Sequence, residues 1–226
     1  MKFYLLIIFI PNLFFSQKTD NETFNLNKFN ELFKKSCPMD CDIKTYYNKN
    51  FISFKRNDST VSMSYRKDGI STIMKEIGNY HVNYEFHGNL KMKSKKEFIQ
   101  GISQTGTLQV NTEFEFDENG KVITQFDWNK IPFDDNVPAP KKNIWEIVIQ
   151  LKKEFNFDIL NDKSFFSIQQ FQDERSKKVN YKISKFISDD NNKLRLLQFE
   201  YDGGNGSFIT KRNFEMELPE GGLVHY

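Results

Sequence analysis

The strongest constraint on the fold is an alternation of side-chain character running from Tyr80 to Trp128. Tyr80, Val82, Tyr84 and Phe86 are followed by Leu90 and Met92, then by Val110, Thr112, Phe114 and Phe116, and finally by Val122, Thr124, Phe126 and Trp128, all even-numbered. Their odd-numbered neighbours, from His81, Asn83 and Glu85 through Glu113 and Glu115 to Gln125 and Asp127, are mostly polar, with Ile123 the exception. Strand side chains point to opposite faces with period two, so this stretch predicts antiparallel strands with the even face dry and the odd face wet. Phenylalanine, at 24 of 226 residues, leans the same way, because aromatic side chains suit half-buried strands better than helix interiors. The expected class is α+β: mostly antiparallel sheet, as meander and hairpins, with two amphipathic helices packed on it.

The first helix is expected at about Leu26–Lys35, where Leu26, Phe29, Leu32 and Phe33 share one stripe, Asn25 caps the start, and Lys34 and Lys35 suit the negative end of the dipole. Pro38 stops it. The second is expected at Ile144–Phe155, from the stripe Ile144, Ile147, Val148, Leu151 and Phe155 behind a capping box of Asn143 and Glu146. Further strands are expected at Ile43–Arg56, Thr60–Arg66 and Ile70–Ile77, with Asn/Asp/Gly turns between them. The charged run Lys93–Lys96 and the segment Gly101–Gly106 read as a long exposed loop joining Met92 to Val110. After the second helix, strands are expected at Phe165–Phe171, Val179–Ile187, Leu194–Tyr201, Phe208–Lys211 and Asn213–Leu218.

Pro132, Pro138 and Pro140 mark a stiff connector and divide the chain. The expected parts are a helix and hairpin region at 17–135, a linker at 136–142, and a helix with antiparallel sheet at 143–226. Residues 1–16 differ in kind: Lys2 precedes the apolar run Phe3–Ile10, which is too short to span a bilayer and reads as a signal peptide. A buried N-terminal strand is the alternative, and the abrupt change to polar residues after Ser16 argues against it. Cleavage is expected after Ser16, where the Ser-Gln junction resembles signal peptides of Bacteroidota. The mature chain is expected to be exported, periplasmic or secreted, without a transmembrane segment. A net charge of +2 with interleaved lysines and acids gives no footprint for nucleic acid.

Chemistry-bearing residues are sparse. Cys37 and Cys41 are the only cysteines, and in an exported protein such a pair is expected to form a disulfide. Cys-Pro-x-x-Cys also resembles the copper and redox motif of Sco-type thioredoxin-like proteins; that fold places a strand before the motif and a helix after it, whereas here a helix precedes and strands follow. His81 and His87 are six residues apart, about 20 Å along a strand, too far to share an ion. Glu113, Glu115 and Asp127 are placed on one wet face, where they could form a carboxylate pair for glycoside hydrolysis, but solvated strand glutamates are the simpler account. Asp117-x-Asn119-Gly120 lacks the remaining ligands of a calcium loop and reads as a turn. No catalytic residue, metal ligand or cofactor is assigned.

The turns carry the one family resemblance. Phe114-Glu115-Phe116-Asp117-Glu118-Asn119-Gly120-Lys121-Val122 sets Asn-Gly between alternating runs; Tyr84-Glu85-Phe86-His87-Gly88-Asn89-Leu90-Lys91-Met92 is a shorter version, and Phe199–Ile209 repeats it with one extra residue. With Gly88 and Asn89 in one copy and Asp117, Asn119 and Gly120 in the other, the glycines 32 residues apart, this pattern resembles the bacterial variant of the MORN (membrane occupation and recognition nexus) repeat in exported Bacteroidota proteins. The resemblance implies a surface of repeated hairpins, antitoxin-like in some members, that contacts protein or lipid. The region after residue 143 is similar in outline to a PepSY-type module. The expected function is that of an exported, non-catalytic, immunity-like binding protein using exposed β-hairpins, with an unknown protein or an envelope surface as partner. The alternative is a small envelope redox or metal-binding protein that uses Cys37 and Cys41.

Overall fold

The computed structural model describes residues 23–36, 43–45, 50–100, 107–129, 139–162, 166–188 and 193–217. Helix α1 (Leu26–Lys34) is followed by β1 (Ile43–Thr45), β2 (Phe51–Arg56), β3 (Ser59–Ser64), β4 (Ser71–Ile77), β5 (Tyr80–Phe86), β6 (Met92–Gln100), β7 (Thr107–Phe116) and β8 (Val122–Asp127). Then come α2 (Ile144–Phe155), β9 (Phe166–Gln172), β10 (Val179–Ser188), β11 (Lys193–Asp202) and β12 (Phe208–Glu217). Strands β1 to β8 form one sheet in chain order and β9 to β12 a second, each an antiparallel meander. The protein is therefore α+β and mainly antiparallel sheet. No helix among the described residues is long and apolar enough to cross a membrane. The segment read as a signal peptide, and Cys37 and Cys41, lie outside the described residues.

Both helices start as their local chemistry dictates. The Asn25 side chain accepts from Lys28 N–H at the head of α1. At α2, Asn143 accepts from Glu146 N–H while the Glu146 carboxylate accepts from Asn143 N–H, so two otherwise orphaned donors are satisfied together. Asn156, in the left-handed region at φ 52°, closes α2.

Cross-strand pairing shows which side chains share a face. Ile52, Met63, Ile73, Tyr84, Lys95 and Phe114 lie opposite one another in succession across β2 to β7. A neighbouring row runs Val61, Lys75, Val82, Glu97, Val110 on the same inner face. One end of that face packs on α1 and the segment before it, with Phe24, Phe29, Ile52, Met63, Phe86, Met92 and Phe116 buried together. At the other end Ile99 and Val110 join Ile147, Leu151, Phe166, Ile183 and Tyr201, which come from α2 and the second sheet.

The two sheets thus share a core across the proline-containing connector, and a backbone latch reinforces it. The two-residue turn Gly78-Asn79 between β4 and β5 inserts into the chain leaving α2. Asn79 N–H donates to Leu160 O at 2.7 Å, and Asn79 Nδ2 donates to Ile159 O at 2.8 Å and Asp162 O at 2.7 Å. Lys185 of β10 pairs with Asp162 from the other side. A cut at 136–142 would part α2 and the second sheet from Ile99, Val110 and this latch.

Several expectations need correcting. The run Lys93–Lys96 is not an exposed loop but part of strand β6, which extends to Gln100. The expected strand Ile43–Arg56 is two strands, β1 and β2, and the two short strands expected at 208–218 are one, β12. The even face is dry along β5, yet Val122, Thr124 and Phe126 of β8 are exposed. Asp127 does not share a face with Glu113, since it lies opposite Thr112 while Glu113 faces Phe126. For Thr124, Phe126 and Asp127 the cause is a bulge: Glu115 pairs with Thr124 but Phe116 with Val122, leaving Ile123 unpaired and shifting the face by one residue, whereas Val122 precedes the bulge and stays opposite Phe116.

Candidate functional site

The turn residues singled out in the sequence come together at one end of the larger sheet. Two hairpins there, β5 to β6 and β7 to β8, are built alike. In the first, Leu90 N–H donates to His87 O and His87 N–H to Lys91 O, both at 2.9 Å; in the second, Gly120 N–H donates to Asp117 O and Asp117 N–H to Lys121 O, also at 2.9 Å. Leu90 and Gly120 both hold a positive φ, 68° and 87°. Each hairpin then leaves one residue unpaired, Lys93 in β6 and Ile123 in β8. The structural repeat is therefore 30 residues: Gly120 corresponds to Leu90 and Gly88 to Glu118. Matching Gly88 with Gly120, 32 residues apart, is incorrect, because a glycine need not mark the same backbone position in both copies.

A third copy closes β11 to β12. Gly206, at φ 75°, donates to Asp202 O at 2.7 Å, Asp202 N–H donates to Ser207 O at 2.9 Å, and Ile209 is the unpaired residue. All three hairpins enter the turn through aromatic, glutamate, aromatic: Tyr84-Glu85-Phe86, Phe114-Glu115-Phe116 and Phe199-Glu200-Tyr201. The aromatics face inward at each, so Phe86, Phe116 and Tyr201 are buried.

The first two turns are fastened to each other. Asn89 Nδ2 donates to Glu118 O at 2.8 Å and Lys91 Nζ to Asn119 O at 3.4 Å. His87 Nε2 lies 2.9 Å from Phe116 O; a carbonyl only accepts, so this nitrogen carries the proton. Asn89 Oδ1 also accepts from Lys91 N–H. Asp117 Oδ1 accepts from Lys121 N–H at 2.8 Å and Asn119 N–H at 2.9 Å. The backbone bond from Lys121 and those from Asn119 and Gly120 hold the Asp117 carboxyl below the usual range. That oxygen is engaged with its own turn, as the reading of 117–120 as a turn rather than a calcium loop requires. Gly88, Asn89, Lys91, Glu118, Asn119 and Lys121 are exposed, and a side chain at Gly88 would meet nothing within 4 Å. The result is a polar, mixed-charge surface of two turns locked in register.

A second polar constellation carries no local signal in the sequence, because it sits on a charged stretch that reads as loop. Glu97, 7% exposed, turns inward from β6. Its Oε2 accepts from Tyr80 Oη and from Asn111 Nδ2, both at 2.5 Å, and its Oε1 meets Lys95 Nζ at 2.6 Å. Asn111 in turn accepts from Trp145 Nε1 of α2 at 2.8 Å, and the Trp145 ring stands edge-on to Tyr80, 5.5 Å between centroids. Burial pushes the Glu97 carboxyl up, but the bonds from Asn111, Lys95 and Tyr80 outweigh it, and the group stays below its ordinary range. Burial beside that carboxylate raises the Tyr80 hydroxyl far above its usual value. A carboxylate with every oxygen engaged and a phenol that keeps its proton make a structural joint between β6, β7 and α2.

On the outer face, Glu113 accepts from Gln109 Nε2 at 2.8 Å and Trp128 Nε1 at 3.0 Å and pairs with Lys96 at 3.0 Å. Burial raises the Glu113 carboxyl less than the Lys96, Trp128 and Gln109 bonds lower it. It is a tied carboxylate, with Glu115 opposite Thr124 and Asp127 on the other face. His81 sits beside Glu76 at 3.5 Å, and burial lowers its pKa despite that neighbour. Among the described residues no three His, Cys, Asp or Glu side chains converge on a metal position. No protein-family model, curated protein or solved structure matches the chain.

Proposed function

We propose that this protein is an exported, non-catalytic binding protein that engages a protein partner through the paired turns His87–Lys91 and Asp117–Lys121. The observation that carries the reading is the cross-bonding of the two turns by Asn89, Lys91 and His87. Isolated hairpin tips are mobile, and ordering them on contact costs affinity; bonding one tip to the next removes part of that cost before the partner arrives. The exposed groups are short, polar and of both charges, a surface suited to a polar protein face. Its likeness to the exported MORN-variant hairpins supports a proteinaceous partner, in an immunity-like role toward a toxin. Export rests on the composition of residues 1–16.

Photo-crosslinking in the producing cell tests this. A benzophenone side chain at Gly88 stands clear of the protein, and one at Glu174, on the exposed turn between β9 and β10, serves as the control. A discrete adduct from position 88 that is absent from position 174, and weakened by Asn89→Ala at unchanged melting temperature, is the expected result. Equal adducts from both positions, or none from position 88, would refute the assignment.

A further inference from the structure

Between its two packed ends, the inner face of the larger sheet is partly open. The opening is a recess floored by Val82 and walled by Ile77, Tyr80 and Tyr84, with Lys75, Lys95 and Glu97 around it. Its enclosed part measures about 30 Å³, space for about one water-sized group, and it widens toward solvent. The two ammonium groups differ in their partners. Lys95 is neutralised by Glu97 at 2.6 Å. Lys75 lies over the Tyr84 ring, 4.7 Å from its centroid, and pairs with no carboxylate among the described residues.

The placement of Lys75 is the anomaly. Its cross-strand neighbours are Val61 and Val82, both buried. The preceding residue, Met74, lies opposite Ser62 and Asn83 on the outer face. Strand β4 thus turns a lysine inward and a methionine outward, the reverse of what burial alone would select. With Glu97 compensated, Lys75 leaves the recess with one unbalanced positive charge above an apolar floor.

We propose that this recess binds a small organic monocarboxylate with an apolar body. The oxyanion meets Lys75 at the constriction, and the apolar part lies along Val82, Ile77 and Tyr84. Glu97 would repel a second carboxylate on the same ligand, which restricts the site to monoanions. This is independent of the turn surface, which lies at the end of the sheet.

Equilibrium dialysis of the full chain against labelled hexanoate tests it, with hexanol as the neutral counterpart and Lys75→Met and Lys75→Arg as variants. The expected result is saturable binding of one hexanoate and no saturable binding of hexanol. Lys75→Met should weaken hexanoate binding at least about tenfold without lowering the melting temperature, and Lys75→Arg should retain it, as loss and preservation of one charge-assisted contact require. No saturable hexanoate binding up to about 10 mM, the affinity range of a weak small-molecule site, overturns the proposal. Binding that is unchanged in Lys75→Met overturns it equally.

Discussion

Gly78→Ala is expected to destabilise the whole molecule, not one sheet of it. Gly78 has φ 58°, and a Cβ there would stand 2.1 Å from Leu160 O, a backbone atom that cannot swing aside. A left-handed alanine costs about 1–2 kcal/mol by itself. Relieving the collision means withdrawing the turn, which breaks the 2.7 Å bond from Asn79 N–H and strains the two from its side chain. Each such bond contributes about 0.5–1.5 kcal/mol net. The sum is about 3 kcal/mol, a large share of a typical stability of about 5–15 kcal/mol. For a chain of this length that lowers the melting temperature by roughly 6–12 °C. Circular dichroism melting, read in the far and near ultraviolet, should show one transition displaced by this amount, since Ile99 and Val110 share a core with α2 and the second sheet. Gly69→Ala is the matched control: its Cβ would meet only the Arg66 side chain at 3.6 Å, ordinary contact, so little change is expected. A Gly78→Ala melt within about 2 °C of the parent, less than 1 kcal/mol by the same scaling, would refute the latch. So would two transitions with only one displaced.

Phe116→Asp should cost about 3–5 kcal/mol, because it buries an unpaired charge among Phe86, Met92 and Phe24; urea denaturation would measure it as a lower midpoint. The pH dependence should show the Glu97 joint. Its folded carboxyl lies below the ordinary value of 4.5, so it stabilises the fold above that pH and loses the contribution as pH falls through the folded value. The melting temperature should therefore drop on acidification below about pH 4.5, and Glu97→Gln should flatten that part of the profile while lowering stability at neutral pH. An unchanged acid slope in Glu97→Gln would remove the joint from the account.

Much of this architecture was readable because the chain states it locally. The stripe of α2 and its Asn143 and Glu146 box mark that helix by local pattern, and the run Tyr80–Phe86 alternates cleanly because β5 has neighbours on both sides. The candidate turn surface was legible to the same degree: Asn119-Gly120 signals a turn by backbone chemistry alone. That the neighbouring turn bonds to it depends on β6 and β7 being adjacent, which no local pattern states. Lys93-Ser94-Lys95-Lys96 reads as solvated loop since charge is normally exposed, yet Lys95 and Lys96 each reach a carboxylate, Glu97 and Glu113, on opposite faces of one strand. The latch at Gly78-Asn79 had a local signal, a Gly-Asn pair between two strands, but its docking on Leu160 comes from tertiary packing.

The same local device has different consequences depending on what lies beyond it. Lys93, Ile123 and Ile209 are equivalent bulge residues, and each shifts the face of the strand that follows by one position. In β8 and β12, the outermost described strands of their sheets, the unpaired residues lie open, Ile123 and Ile209 being 67% and 46% exposed. In β6, which lies between β5 and β7, the shift carries Lys95, Glu97 and Ile99 onto the inner face in place of their even-numbered neighbours. Were Lys93 instead paired with Glu85 in a regular ladder, every later residue would shift by one, and Phe98 would face inward and Glu97 outward. The buried carboxylate, the Tyr80 and Asn111 bonds that hold it, and the lysine beside the recess all follow from that one unpaired residue. Deleting Lys93 should therefore remove the bulge and leave Ser94–Gln100 in the same register with β5, because Ser94 would then follow Met92 in a regular ladder opposite Glu85 and Phe86.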